Sequence, residues 1–197
     1  FFADDNYFGA DQVIVMSASS KTAIGFSQRA AARSGLNIVA VTSQSNKDFV
    51  AALGIYDQVV DYGRLDDIAD VPSVSIDMAG NAGVRAAIHD HLRDNLGYSM
   101  TVGLSHHDAP PAEVTAGPTP QMFFAPTEVT RRRADWGPAT YEERTTQALT
   151  NFVAGSRTWL EIVATNGPGL AEKTWADVYN GEVAPSVGRI VSLHVDE

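Results

Sequence analysis

Residues 12–35 read QVIVMSASSKTAIGFSQRAAARSG, and this stretch narrows the fold more than any other. Four apolar residues, Val13 to Met16, run straight into Ser17, Ala18, Ser19 and Ser20, where a helical pattern begins at once. A strand that is apolar at every position, rather than at alternate ones, is covered on both faces. Such a strand followed by small residues and a helix N-terminus is the layout of a phosphate-binding turn in an open parallel sheet. The usual G-x-G-x-x-G fingerprint is mostly absent: only Gly25 remains, and serines and an alanine fill the turn. Two readings are open. The turn grips a pyrophosphate through backbone N–H and hydroxyl donors, or it is a structural turn closed by an N-cap serine. SSKT is not a P-loop, because Met16 and Ser20 stand where that motif needs glycine.

The same rhythm continues to about His107. Short apolar runs predict strands at 12–17, 37–42, 58–62, 74–79 and 98–104, with helices at 20–34, 46–53 and 83–94 between them. Gly35 and Gly54 serve as stop signals for the first two helices, and Ser45 or Asn46 caps the second. Repeated β-α-β units with short connections dictate a parallel sheet. The predicted fold is therefore α/β, a Rossmann-type doubly wound parallel sheet followed by a C-terminal helical segment with return strands. A proline-rich stretch, HHDAPPAEVTAGPTP, interrupts the rhythm and reads as a loop. Residues 121–125 (QMFFA) make a short aromatic sixth strand. Helices at 126–134, 138–156 and 169–180 and strands at 159–164 and 187–194 complete the chain. The division expected is 1–125 for the dinucleotide-binding domain and 126–197 for the return segment.

Composition removes several functions. The net charge is −10, and the lysines are only Lys21, Lys47 and Lys173. That balance excludes the basic face that nucleic acid or an anionic membrane would need. The one basic run, Arg131–Arg133, reads as a solvated helix end pairing with Glu128, Glu142 and Glu143. No apolar run approaches the roughly 18 residues of a membrane helix. There is no cysteine, which rules out disulfides and thiolate zinc and fits a cytoplasmic protein. The first residues, FFADDNYFGADQ, carry neither an initiator Met nor the basic start of a signal peptide, and suggest a piece of a longer chain.

Candidate chemistry collects where strands end. Ser19, Ser20, Lys21 and Thr22 lie at the first such end. In dinucleotide-binding folds a carboxylate about 20 residues past the glycine turn bonds the adenosine ribose. Here the second strand ends VTSQSNK, with no acid until Asp48. Hydroxyls and a lysine suit a 2′-phosphate, which favours NADPH over NADH; the alternative is a solvated helix start with Lys47 in water. Asp77 and Asn81 flank the end of the fourth strand, with Asp77 either bonding the turn backbone or meeting a ligand. The fifth strand runs into Ser105, His106 and His107. Neighbouring residues on an extended chain face opposite ways, so the histidines make a poor metal site. One of them facing a nicotinamide as polar contact or proton donor, or a structural pair, are the other readings.

These residues together resemble a family. SASSKTAIG, the TSQSNKDFVAALG segment, DMAG and TVGLSHH are similar to the cofactor half of medium-chain dehydrogenases/reductases, above all the zinc-independent quinone-reductase branch. The ending LAEKTWADVYNGEVAPSVGRIVSL is similar to the segment that returns to the catalytic domain there. SASSKTAIG, QMFFAPTEVTRRRADWG and the ending look closest to an uncharacterised branch, the DUF2855 proteins. The resemblance covers nearly the whole chain but departs from the family in its serine turn. It also lacks a counterpart, before Phe1, to the family's GroES-like catalytic domain. The resemblance implies NADP(H) as cofactor, with Ser19, Ser20, Lys21 and Thr22 on the pyrophosphate and Ser43 and Lys47 on the adenosine phosphate. Ala79, Gly103 and Ser105 would line the nicotinamide side.

The expected function is an NADP(H)-dependent oxidoreductase passing hydride to a carbonyl, enone or quinone. Its substrate is a small molecule, and His106 is the candidate general acid. A non-catalytic nucleotide-binding or assembly module is the alternative. A methyltransferase fits less well, given the VGRIVSL return strand and the missing ribose-binding acid. A homodimer is expected through the QMFFA edge.

Overall fold

A computed structural model describes residues 1–32, 35–103 and 112–194. It divides into two compact units, 1–141 and 142–197.

Unit 1 is built on six parallel strands. They are β1 (Gln12–Met16), β2 (Asn37–Thr42), β3 (Gln58–Asp61), β4 (Ser73–Asp77), β5 (Leu96–Thr101) and β6 (Gln121–Met122), arranged β3-β2-β1-β4-β5-β6. The order reverses between β1 and β4, the place where open α/β sheets bind ligands. Both faces of β1 are covered, as its unbroken apolar run dictates. Val13 and Val15 enter one core with Ile38, Ile76 and Met100, while Ile14 and Met16 enter the other with Val39, Val41 and Ile88. Helix α1 (Lys21–Ala30) supplies Ala23 and Ala30 to the first core, and α3 (Ala82–Leu92) supplies Ile88 and Leu92 to the second. The sheet is thus wound on both faces. Helix α2 (Lys47–Ala52) places Val50 against Ala18 and Ala40.

Several boundaries differ from the sequence reading. Helix α1 stops at Ala30, so Gly35, at φ +81°, belongs to the turn before β2 rather than to the helix end. Strand β5 begins at Leu96, and β6 keeps only two of its five expected residues. Phe124 becomes the cap of α4 (Ala125–Trp136), because Pro126 fits the first turn of a helix but not a strand interior.

Residues 1–9 lie on the α1 face of the sheet. Asn6, Tyr7, Phe8 and Gly9 all have positive φ, a left-handed turn that three non-glycine residues enter at a cost. Aromatic packing offsets it: Phe8 stacks on Tyr98 with ring centroids 4.4 Å apart, and Phe2 meets Tyr7 and Phe26. Asp4 ties the segment to α4 through Arg131 and Arg132. Those two guanidiniums pull the Asp4 carboxyl down to about 2. The basic run therefore pairs with Glu128, as expected, and also with an acid 127 residues upstream that the local sequence could not show.

Unit 2 holds two parallel strands, β7 (Glu161–Asn166) and β8 (Val187–Ser192), joined through α6 (Pro168–Tyr179). Helix α5 (Pro138–Ser156) leads into it. Its strands are mostly exposed, with Ile162 54% and Ile190 58% accessible.

Candidate functional site

The turn after β1 is held tightly. Ser17 has φ +57°, the left-handed geometry that a glycine supplies without strain. The Ala18 N–H donates to the Val41 carbonyl, and the Tyr56 hydroxyl donates to the Ala18 carbonyl at 2.9 Å. Ser20 caps α1, its Oγ accepting from the Ala23 N–H at 3.2 Å. That uses a lone pair and leaves the hydroxyl proton available to an anion. Ala23 is fully buried and packs with Val13 and Val15 of β1 in the first core. The turn thus combines a tight bend at Ser17 with a helix start capped by Ser20.

The loop after β2 meets this turn. Asn46 was a candidate helix cap; its side-chain amide instead donates to Ser19 Oγ at 3.1 Å. Ser43 and Ser45 share a hydrogen bond at 3.0 Å. Lys47 is neither loose in solvent nor an uncommitted cation. Its Nζ lies 3.3 Å from Asp61 Oδ2, at the end of β3. The register pairs Asp61 with Thr42, the last residue of β2. A carboxylate therefore does stand at this edge, contributed by the neighbouring strand. Reading along the second strand misses it; the Gln58–Tyr62 run would have exposed it only once β3 was placed beside β2. Tyr62 was missed in the same way. Burial raises its hydroxyl pKa, and the side chain reaches toward Ser17 and Asp77.

Past β4, Asp77 is fully buried and works on the backbone. Its Oδ1 accepts from the N–H groups of Ala79 and Gly80 at 3.1 and 2.7 Å, and its Oδ2 pairs with Arg85 at 2.9 Å. Turn bonding engages Oδ1, and the ion pair with Arg85 of α3 engages Oδ2. Asn81 caps α3 by accepting from the Val84 N–H. Gly103 is fixed by close approach, because any Cβ there would overlap the Met78 carbonyl oxygen. Ala79 and Gly103 thus come together at one edge. Beside them lies an apolar cavity of about 330 Å3, lined by Met78, Val102, Ile76, Met100, Phe26 and Phe123 among others. No described lining residue carries a charged side chain, and Thr22 of the α1 first turn opens onto it. Ser105, His106 and His107 lie outside the described residues.

Six of the predicted residues, Ser19, Ser20, Lys21, Thr22, Ser43 and Lys47, therefore gather at the ends of β1 and β2, and Ala79 and Gly103 at the ends of β4 and β5. The donor set of hydroxyls, a helix N-terminus and a lysine fits an anionic group at the first location. The bare backbone of the second fits a flat ring.

A parallel sheet in this order with helices on both faces is a Rossmann-type architecture. The family model for DUF2855, a protein of unknown function, matches residues 1–184, and the chain belongs to that family. No curated protein matches it. Solved structures share its fold. One is CurA from Vibrio vulnificus in complex with NADPH, at 14% identity and TM-score 0.62, covering 95% of this chain and 58% of that one. A putative NADPH:quinone reductase from Mesorhizobium loti has 18% identity and TM-score 0.64, covering 96% and 55%. The yhdH oxidoreductase from Salmonella enterica in complex with NADP has 16% identity and TM-score 0.58, covering 96% and 57%. The chain spans less than two thirds of the length of each of these neighbours.

Proposed function

We propose that the protein is an NADP(H)-dependent oxidoreductase of the quinone-reductase type, acting on a carbonyl, enone or quinone. One observation carries the reading: the Ser17–Lys21 turn sits where the strand order reverses, between β1 and β4. The crevice there combines an anion-binding helix start with a polar second-strand loop. The NADPH and NADP complexes among the structural neighbours support it.

In this reading Ser19, Ser20, Lys21 and Thr22 hold the pyrophosphate, the first through the hydroxyl that Asn46 positions. Ser43 and Lys47 meet the adenosine 2′-phosphate. Ala79, Gly103 and Ser105 border the nicotinamide, which supplies the hydride when bound. Met78 and Val102 directly precede Ala79 and Gly103, so the apolar cavity offers an uncharged acceptor a place beside the reacting edge. His106 remains the proposed proton donor. Residues 126–197 are proposed as a helical segment and return strands belonging to a catalytic domain, and pairing of two copies along β6 as the mode of dimerisation. The non-catalytic alternative draws on Ser17, which holds a strained bend where a binding turn usually has glycine.

Thermal denaturation with NADPH tests the proposal. At about a hundredfold excess over Kd, a nucleotide that binds only the folded state adds about 2.7 kcal/mol. For a chain of this size that is roughly 5–10 °C in Tm. Absence of any shift with NADPH and NADH would remove the oxidoreductase reading and leave the assembly module.

A further inference from the structure

We propose that Asp61 sets the nucleotide preference of this crevice, by holding Lys47 and opposing a second anion beside it. The inference rests on the nucleotide-binding reading above and adds to it a residue that the second strand does not contain. Asp61 ends β3, next to Thr42 of β2, and its carboxylate is only 11% exposed. Its two oxygens are both engaged: Oδ1 accepts the Gly63 N–H at 2.9 Å and Oδ2 faces Lys47 Nζ at 3.3 Å. Burial works against the charge, but the Gly63 N–H and Lys47 outweigh it, so the carboxyl stays below the usual range. It is ionised at neutral pH.

The consequence is electrostatic. Lys47 is the only lysine between β2 and β3, and Asp61 already pairs with it. A 2′-phosphate must join a pair whose charges cancel, attracted by one member and repelled by the other. A 2′-hydroxyl feels neither strongly. The crevice therefore tells NADPH from NADH only modestly, although the sequence of the second-strand loop suggests a strong preference. Asp61 is a specificity-determining residue: with its charge removed, Lys47 becomes free to pair with phosphate.

The test is a set of dissociation constants for NADPH, NADH and 2′,5′-ADP, measured by calorimetry on the wild type and on Asp61→Asn, Asp61→Glu and Lys47→Ala. The wild-type preference for NADPH is expected to stay within about tenfold. Asp61→Asn keeps an acceptor for Gly63 and should tighten NADPH and 2′,5′-ADP by about fivefold or more at low salt, a gain that shrinks as salt rises. NADH should stay within about twofold, and Asp61→Glu should keep the wild-type ratio. Lys47→Ala leaves the carboxylate unbalanced and should lower the NADPH-to-NADH preference below that of the wild type. A purely structural role for Asp61 would move both nucleotides together. If the wild type binds NADPH and Asp61→Asn leaves or lowers the ratio, the role of Asp61 is overturned while the nucleotide site stands. If no variant binds any of the three probes, both readings fall. Should Asp61→Asn melt far below the wild type, the Lys47→Ala ratio decides the matter: an unchanged ratio overturns the proposal.

Discussion

Two parallel strand systems in this chain are built from similar apolar residues and end in opposite states. In β1 every residue is buried, whereas in β8 none is. The sequences QVIVM and VGRIVS do not foretell this, since both carry Ile and Val at the strand centre. The difference lies in what surrounds each strand. β1 has neighbours on both sides and helices on both faces; β7 and β8 form a two-stranded sheet packed with α6. Apolar composition makes a strand, and cover on both faces makes it a core.

That contrast is open to direct attack. Ile14 is fully buried, so Ile14→Ala should cost about 2–5 kcal/mol in chemical denaturation, whereas Ile190→Ala should stay within about 0.5 kcal/mol. A comparable loss at Ile190 would mean that β8 is covered in solution. The next effect is smaller and lies inside unit 1: Ser20→Ala removes the α1 cap and should cost about 1 kcal/mol, with Ser20→Gly costing a few tenths. The smallest effect at neutral pH concerns His89, which is fully buried. Its Nδ1–H donates to the Ala116 carbonyl at 2.9 Å, and its Nε2 accepts from the Ser99 hydroxyl at 2.8 Å. Burial lowers its pKa below that of the unfolded chain. The unfolded state then binds the extra proton first, so the contribution of His89 is complete above about pH 6.5 and is lost as pH falls below it. Melting across pH 5–8 should show this acid-side decline, and His89→Gln should flatten it.

Much of the fold is legible in the sequence. β2 and α5 fall where the apolar periodicity puts them, because both have clear ends: Asn37 and Thr42 for the strand, Pro138 for the helix. Boundaries slipped where tertiary contact outweighed local pattern, as at β6, where Phe123 goes to the core and Phe124 to the helix cap instead of extending the strand. The site was legible as positions but not as partnerships. Lys47, Ser19 and Asp77 were each visible as candidates. That Lys47 meets Asp61, Ser19 meets Asn46 and Asp77 meets Arg85 depends on which strands lie side by side, and no local pattern carries that.

The tie from Asp4 to Arg131 has a consequence in time. It joins residues 127 apart, so the loop it closes contains all six strands of the sheet. Closing so long a loop is entropically costly until the intervening chain is ordered, and contacts of that separation form late. The bond is therefore expected to form once β1 to β6 have found their order. A probe on Asp4 would read the last step of folding of unit 1, as a probe on β1 would read an earlier one.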